Sequence, residues 1–128
     1  SDLEPVLALY EHLHDADEQA GEGEIRAAWR AIIEDRRTYL FILESGGVPV
    51  STCMLCIVPN LTRRARPFGI IENVVTRRQD RRRGHATALL HHALGYAWER
   101  TCYKVMLLTG RKDEAVLGFN ERIGFVRG

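Results

Sequence analysis

Apolar residues recur at helical spacing from the first residues of the chain. Leu3, Val6, Leu7, Tyr10 and Leu13 fall on one face of a 3.6-residue repeat and predict a first helix. Residues 15–24 form an acidic, glycine-containing loop. Ile25, Ala28, Trp29, Ile32 and Ile33 then mark a second helix. The period changes after that. Residues 38–43 are rich in β-formers, Ser45, Gly46 and Gly47 make a turn, and 48–58 read as a second strand of the same hairpin. Pro59 and Asn60 end it, and residues 62–67 are a basic loop.

Residues 68–76 predict a third strand, and 79–83 a polar, basic turn. Ala86, Leu89, Leu90, Ala93, Leu94, Ala97 and Trp98 fill the helical template without a gap. An almost continuous apolar run over 103–108 predicts a fourth strand buried on both faces. A last helix is expected over 113–123, stopped by Gly124. The order is α-α-β-β-β-α-β-α. Strand, helix, strand over 68–108 makes a parallel crossover unit, and the earlier strands are antiparallel. The expected fold class is α/β: one domain over 1–128, with a mixed sheet flanked by helices.

Composition sets the outer bounds. A hydrophobic share of 45% in 128 residues suffices for one core. No apolar run reaches the ~18 residues of a membrane span. The start of the chain lacks a signal-peptide pattern, so a cytoplasmic protein is expected. Cys53, Cys56 and Cys102 are too few and too uneven for a disulfide framework. Cys53 and Cys56 have C-x-x-C spacing, but on a strand they point to opposite faces, so buried thiols are expected rather than a redox pair. His12, His14, His91 and His92 show no metal-ligand spacing, and no metal is expected.

Charge adds more than its net value of +1 suggests. Residues 1–60 hold four basic and eleven acidic residues, and residues 61–128 hold fourteen basic and six acidic. The halves thus differ sharply in sign, at −7 and +8. Five of the seven residues from 77 to 83 are arginines. Nucleic-acid binding is one reading of such a run, but no aromatic interleaving or helix-turn-helix pattern accompanies it, and no nucleic-acid partner is expected.

The run also leads directly into a helix. The first turn of a helix has main-chain N–H groups without intrahelical partners and a positive dipole end. A pyrophosphate can sit there if the residues are small, as Gly84 and Ala86 are, and Arg81, Arg82 and Arg83 add charge around the same point.

These residues resemble a known family. Arg81-x-x-Gly84-x-Ala86 is similar to the Q/R-x-x-G-x-G/A signature of the GNAT N-acetyltransferase superfamily. Residues 70–76, IIENVVT, resemble that family's fourth strand, and especially the I-E-D-V-V run of glucosamine-phosphate N-acetyltransferases. Residues 119–125, FNERIGF, resemble its F-Y-E-x-x-G-F ending. The resemblance implies a GNAT-like fold, acetyl-CoA as cosubstrate, and direct acetyl transfer to an amine of a small molecule or peptide. It implies that the main chain of Val74, Val75 and Thr76 pairs with the pantetheine arm. The turn of Arg81, Arg82, Arg83, Gly84, His85, Ala86 and Thr87 would take the pyrophosphate.

By the same resemblance Glu72 is the candidate general base, directly or through a water, with partial desolvation expected to tune it for proton transfer. Val74 is the candidate main-chain oxyanion donor. Asn120 occupies the place of the tyrosine that often protonates the leaving thiolate, and Asp113 falls near a usual asparagine. A thiol pKa of about 8.5 lets the thiolate leave with little acid help, and Tyr96 and Tyr103 are candidate substitutes.

Strands that the family carries at either end are not found in these 128 residues. Bare sheet edges would invite a partner chain, so a homodimer is an open expectation. The acceptor is also open. The acidic loop favours a cationic amine, whereas Arg63, Arg64 and Arg66 favour a phosphorylated one. A GNAT-like module that binds acyl-CoA without catalysis is the alternative function.

Overall fold

The computed structural model describes residues 2–11 and 20–108. The expected last helix, Asp113, Asn120 and Gly124 lie outside the described residues, as do His12, Leu13 and His14. Through the described part the elements follow the expected order: α1 (Leu3–Tyr10), α2 (Glu22–Glu34), β1 (Thr38–Ser45), β2 (Val48–Val58), β3 (Phe68–Thr76), α4 (His85–Glu99) and β4 (Val105–Leu107), with one short turn, α3 (Thr62–Ala65), between β2 and β3.

The sheet order is β1-β2-β3-β4. β1 and β2 form the antiparallel hairpin, closed at Gly46 and Gly47, and β2 pairs antiparallel with β3. β4 joins β3 in parallel, as a crossover through a helix requires.

Two cores hold the sheet. On one face α4 lays Leu89, Leu90, Ala93, Leu94 and Ala97 against Cys53, Leu55, Ile71 and Val105. The alternation of β2 sends its other side chains the opposite way. Leu3, Val6 and Leu9 of α1 are buried outside that cluster while α1 touches β2 and β3, so α1 covers the opposite face. Gly69 is a contact point inside the first core: a Cβ there would stand 3.2 Å from Leu55 Cδ1 and 3.4 Å from Val105 Cγ2.

Some sequence expectations are corrected. Trp98 fits the helical template but is 46% exposed, because the buried stripe of α4 ends at Ala97. α2 buries no residue fully, and Ile33 is exposed. β4 is shorter than the apolar run that predicted it. Its Met106 and Leu107 are only half-buried and Leu108 is exposed, because β3 is its one partner strand among the described residues. The basic loop contains a left-handed turn, with positive φ at Arg63, Arg64 and Ala65. The Asn60 side-chain amide ties this turn together by donating to Thr62 O, Thr62 Oγ1 and Arg66 O.

Candidate active site

The site lies where β3 outruns β4. The parallel pairing covers only Gly69, Ile70 and Ile71, and its last bond runs from Leu108 N–H to the Ile71 carbonyl. β3 continues for five more residues to Thr76, and that length of its edge has no strand beside it among the described residues.

The edge is also bent. Between Thr52 and Met54 the β2–β3 register slips, and Asn73 and Val74 together stand opposite Cys53. Asn73 takes the extra place with φ +54, the left-handed region that asparagine tolerates better than most residues. Beyond this bulge Arg77 N–H donates to Val50 O at 2.8 Å. Alternation along the strand then turns Val75 toward β2, and turns the main-chain groups of Val74 and Thr76 toward the open edge. The end of β3 is pinned from the other side. Ser51 Oγ, fully buried, donates to Val75 O at 3.0 Å and lies 2.9 Å from Thr76 Oγ1.

Glu72 immediately precedes the bulge, opposite Met54. Its side chain is exposed, so the desolvation expected for it is not present.

After Thr76 the chain makes a 3-10 turn, Arg78–Asp80, and then climbs to α4. Asp80 organises this turn. It is buried at 6% exposure, accepts from Arg77 Nε at 2.6 Å, and lies 3.5 Å from Arg83 Nη1. The Arg77 hydrogen bond holds the Asp80 carboxyl below the usual carboxylate range. Burial opposes that shift, and the charges of Arg77, Arg83 and His85 reinforce it. Arg81 Nε donates to Thr76 O at 3.2 Å, so that carbonyl is already engaged where the resemblance assigned Thr76 to a ligand. The arginine run is therefore partly internal structure: three of its five members bond to Asp80 or to the end of β3. Arg82 is exposed at φ +65, and Gly84, the N-cap of α4, stands at φ +80, with Arg83 between them at negative φ. Alternating left- and right-handed residues are the backbone pattern of anion-binding concavities. No side chain caps α4, and a Cβ at Gly84 would meet nothing within 4 Å.

The other candidates are placed elsewhere. Tyr96 packs edge-on against Tyr39 and Phe41 and lies under the Arg100 guanidinium. Tyr103, two residues before β4, is faced by Arg63, Arg66 and Lys104. Both are packing residues. Cys53 is buried, and burial pushes its thiol up to about 12, the opposite of a reactive cysteine. Among the described residues no group of His, Cys, Asp and Glu could hold a metal, and no helix is long and apolar enough to cross a membrane. Sequence reasoning missed two features: the bulge at Asn73 and the burial of Asp80.

The model of the GNAT acetyltransferase family matches residues 5–125. The chain belongs to that family. A glucosamine 6-phosphate N-acetyltransferase of Trypanosoma brucei brucei is 33% identical over 128 residues, covering 98% of this chain and 83% of that protein. A solved structure from Agrobacterium tumefaciens str. C58 that bears the name of an acetyltransferase superposes with a TM-score of 0.90 at 45% identity, over 98% of this chain and 87% of that one. The aminoglycoside N-acetyltransferase AAC(6')-Iy, solved with a CoA-based bisubstrate analogue, superposes with a TM-score of 0.79 over 98% of this chain and 84% of that one; at 17% identity it shows likeness of fold. The mixed sheet flanked by helices is the GNAT arrangement, and the chain is by family an acyl-CoA-dependent N-acetyltransferase.

Proposed function

We propose that the protein transfers acetyl from acetyl-CoA directly to a primary amine of a small molecule or peptide. The observation that carries this reading is the continuity of the site. An open strand edge with outward main-chain groups leads, through a turn with two left-handed residues, to an uncapped helix start. An extended amide-bearing arm ending in a diphosphate suits each part in turn. Its amides pair with Val74 and its neighbours at the edge. Its diphosphate sits on the N–H groups from Arg82 to Thr87, since the Arg81 N–H is donated to Arg78 O, and the exposed Arg82 adds positive charge.

Direct transfer asks three things of the chain. Glu72 takes the amine proton; its exposure favours a relay through water over direct contact. The Val74 N–H meets the oxygen as the tetrahedral centre forms. The thiolate then leaves without requiring strong acid help, and Asn120 stands at the position where the resemblance looks for that acid. The name of the trypanosomal relative supports an amino-sugar phosphate as acceptor, and the exposed Arg63, Arg64 and Arg66 are suited to its phosphate.

A thiol-release assay with acetyl-CoA and a panel of amines, glucosamine 6-phosphate among them, tests the reading. Amine-dependent release is expected. CoA binding without it supports the alternative, a non-catalytic acyl-CoA-binding module. No CoA binding refutes both.

A further inference from the structure

Beyond its bulge β3 is attached to β2 over a short length. Pairing resumes at Thr52 with Val75 and ends at Ser51 with Thr76, and the bond from Arg77 N–H to Val50 O closes the run. Ser51 lies within this length, and its side chain adds to what the ladder supplies. Ser51 Oγ donates to Val75 O at 3.0 Å. With its one proton so committed, it accepts from Thr76 Oγ1 at 2.9 Å. The two hydroxyls thus close a ring through the Val75–Thr76 peptide and the Thr76 side chain. Both residues are buried, so water competes little for either bond. The support is itself fixed. Neighbouring Thr52, also fully buried, donates from Oγ1 to Phe41 O at 2.7 Å and ties β2 to β1 on its other side.

The consequence reaches the open edge through one peptide group. In a planar trans peptide the C=O and the N–H point in opposite directions. The Val75 carbonyl, held toward β2, therefore turns the Thr76 N–H outward, to the length of edge that no strand accompanies among the described residues. The Thr76 carbonyl is engaged by Arg81 Nε at 3.2 Å, and the N–H is the donor that Thr76 presents there. We propose that Ser51 is a positioning residue for the acyl donor: its buried hydroxyl, bonded to Val75 O and Thr76 Oγ1, sets the Val75–Thr76 peptide plane and so aims the Thr76 N–H at the amide-bearing arm. Its value to acetyl transfer rests on the function proposed above, in which that arm lies along the edge. A donor held in direction beforehand spares the arm the cost of ordering it on arrival. Ser51 thus acts on the arm through the main chain, while the diphosphate is held by the turn that follows β3.

The test uses the whole chain with CoA and with ADP, which keeps the diphosphate and lacks the arm. Both Kd values are measured by calorimetry below the onset of melting. Ser51→Ala is expected to bind CoA about threefold to tenfold more weakly, the worth of one hydrogen bond, and to bind ADP within about twofold of the wild type. Thr76→Val removes the outer hydroxyl and keeps the Ser51 bond to Val75 O. It should give the same split at smaller size, and the test rests on it if Ser51→Ala does not fold. In the wild type CoA should move the Thr76 amide resonance, and in Ser51→Ala that movement should shrink. A serine that only holds the fold together lowers the melting temperature and leaves both affinities alone, and that result overturns the proposal. An equal loss for CoA and ADP overturns it as well. Wild-type protein that does not bind CoA refutes the donor site proposed above instead. The lock is then judged without ligand by the coupling constants across the Thr76 Cα–Cβ bond. They should report one rotamer in the wild type and an average in Ser51→Ala, and averaging in both sinks it.

Discussion

Two glycines of this chain share a backbone conformation and differ in location, and their replacement by alanine separates conformational cost from ligand contact. Gly84 has φ +80 at the start of α4, and Gly47 has φ +79 in the β1–β2 turn. A Cβ added at either meets nothing within 4 Å, so neither alanine clashes inside the protein. The remaining cost is that of holding an L-residue in the left-handed region, about 1–2 kcal/mol, partly offset by the stiffer unfolded chain. Each variant is therefore expected to lose about 1 kcal/mol, a fall in melting temperature of about 4 °C for a domain of this size. Only Gly84→Ala places a methyl in the space where a diphosphate seated on the first-turn N–H groups would lie. Its Kd for CoA, measured by calorimetry, should rise at least about tenfold, which corresponds to about 1.4 kcal/mol, while Gly47→Ala binds as the wild type does. Equal affinities in the two variants would refute the main-chain diphosphate site. A melting temperature far lower in Gly84→Ala than in Gly47→Ala would show that the turn holds the fold together rather than a ligand.

Three further outcomes follow from the same geometry. Asp80 has a depressed folded pKa, so its contribution to stability is complete above the ordinary carboxylate value and is lost as pH falls through the lower folded value. Melting curves over that acidic range should show wild-type protein converging on Asp80→Asn, and a constant gap between them would remove the ionised Asp80 from its role. Ser51→Ala leaves the Val75 carbonyl without its donor and the buried Thr76 hydroxyl without its acceptor, so chemical denaturation should register a loss of about 1–3 kcal/mol; an unchanged midpoint contradicts it. Glu72→Gln should lower kcat while the affinity for CoA holds, and unchanged turnover at saturating cosubstrate removes Glu72 as base.

The architecture was legible because its signals are periodic. The unbroken stripe from Ala86 to Ala97 and the alternating apolar strands announce α4 and the sheet before any coordinate is known, and the motif at Arg81, Gly84 and Ala86 places the turn. What the pattern hides is set by distance in the chain. Nothing near Asn73 in the sequence signals a bulge, because the bulge is a matter of register against β2. Nothing near Asp80 signals burial, because a charged residue among arginines reads as solvated surface until the turn folds it inward. The exposure of Glu72 is hidden for a related reason: an apolar strand implies an apolar setting for all its residues, and only the folded chain shows which of them solvent reaches.

The length of β3 that no strand accompanies among the described residues has a bearing on how such a protein can change over generations. A peptide group is chemically the same whichever residue bears it, so a binding edge made of peptide groups places few demands on side-chain identity. Drift along the strand is tolerated so long as the chain keeps its path, and constraint gathers where that path departs from the ordinary, at Asn73, Arg82 and Gly84. A protein built this way can exchange most of its surface, and with it the amine it accepts, without surrendering its hold on the acyl donor.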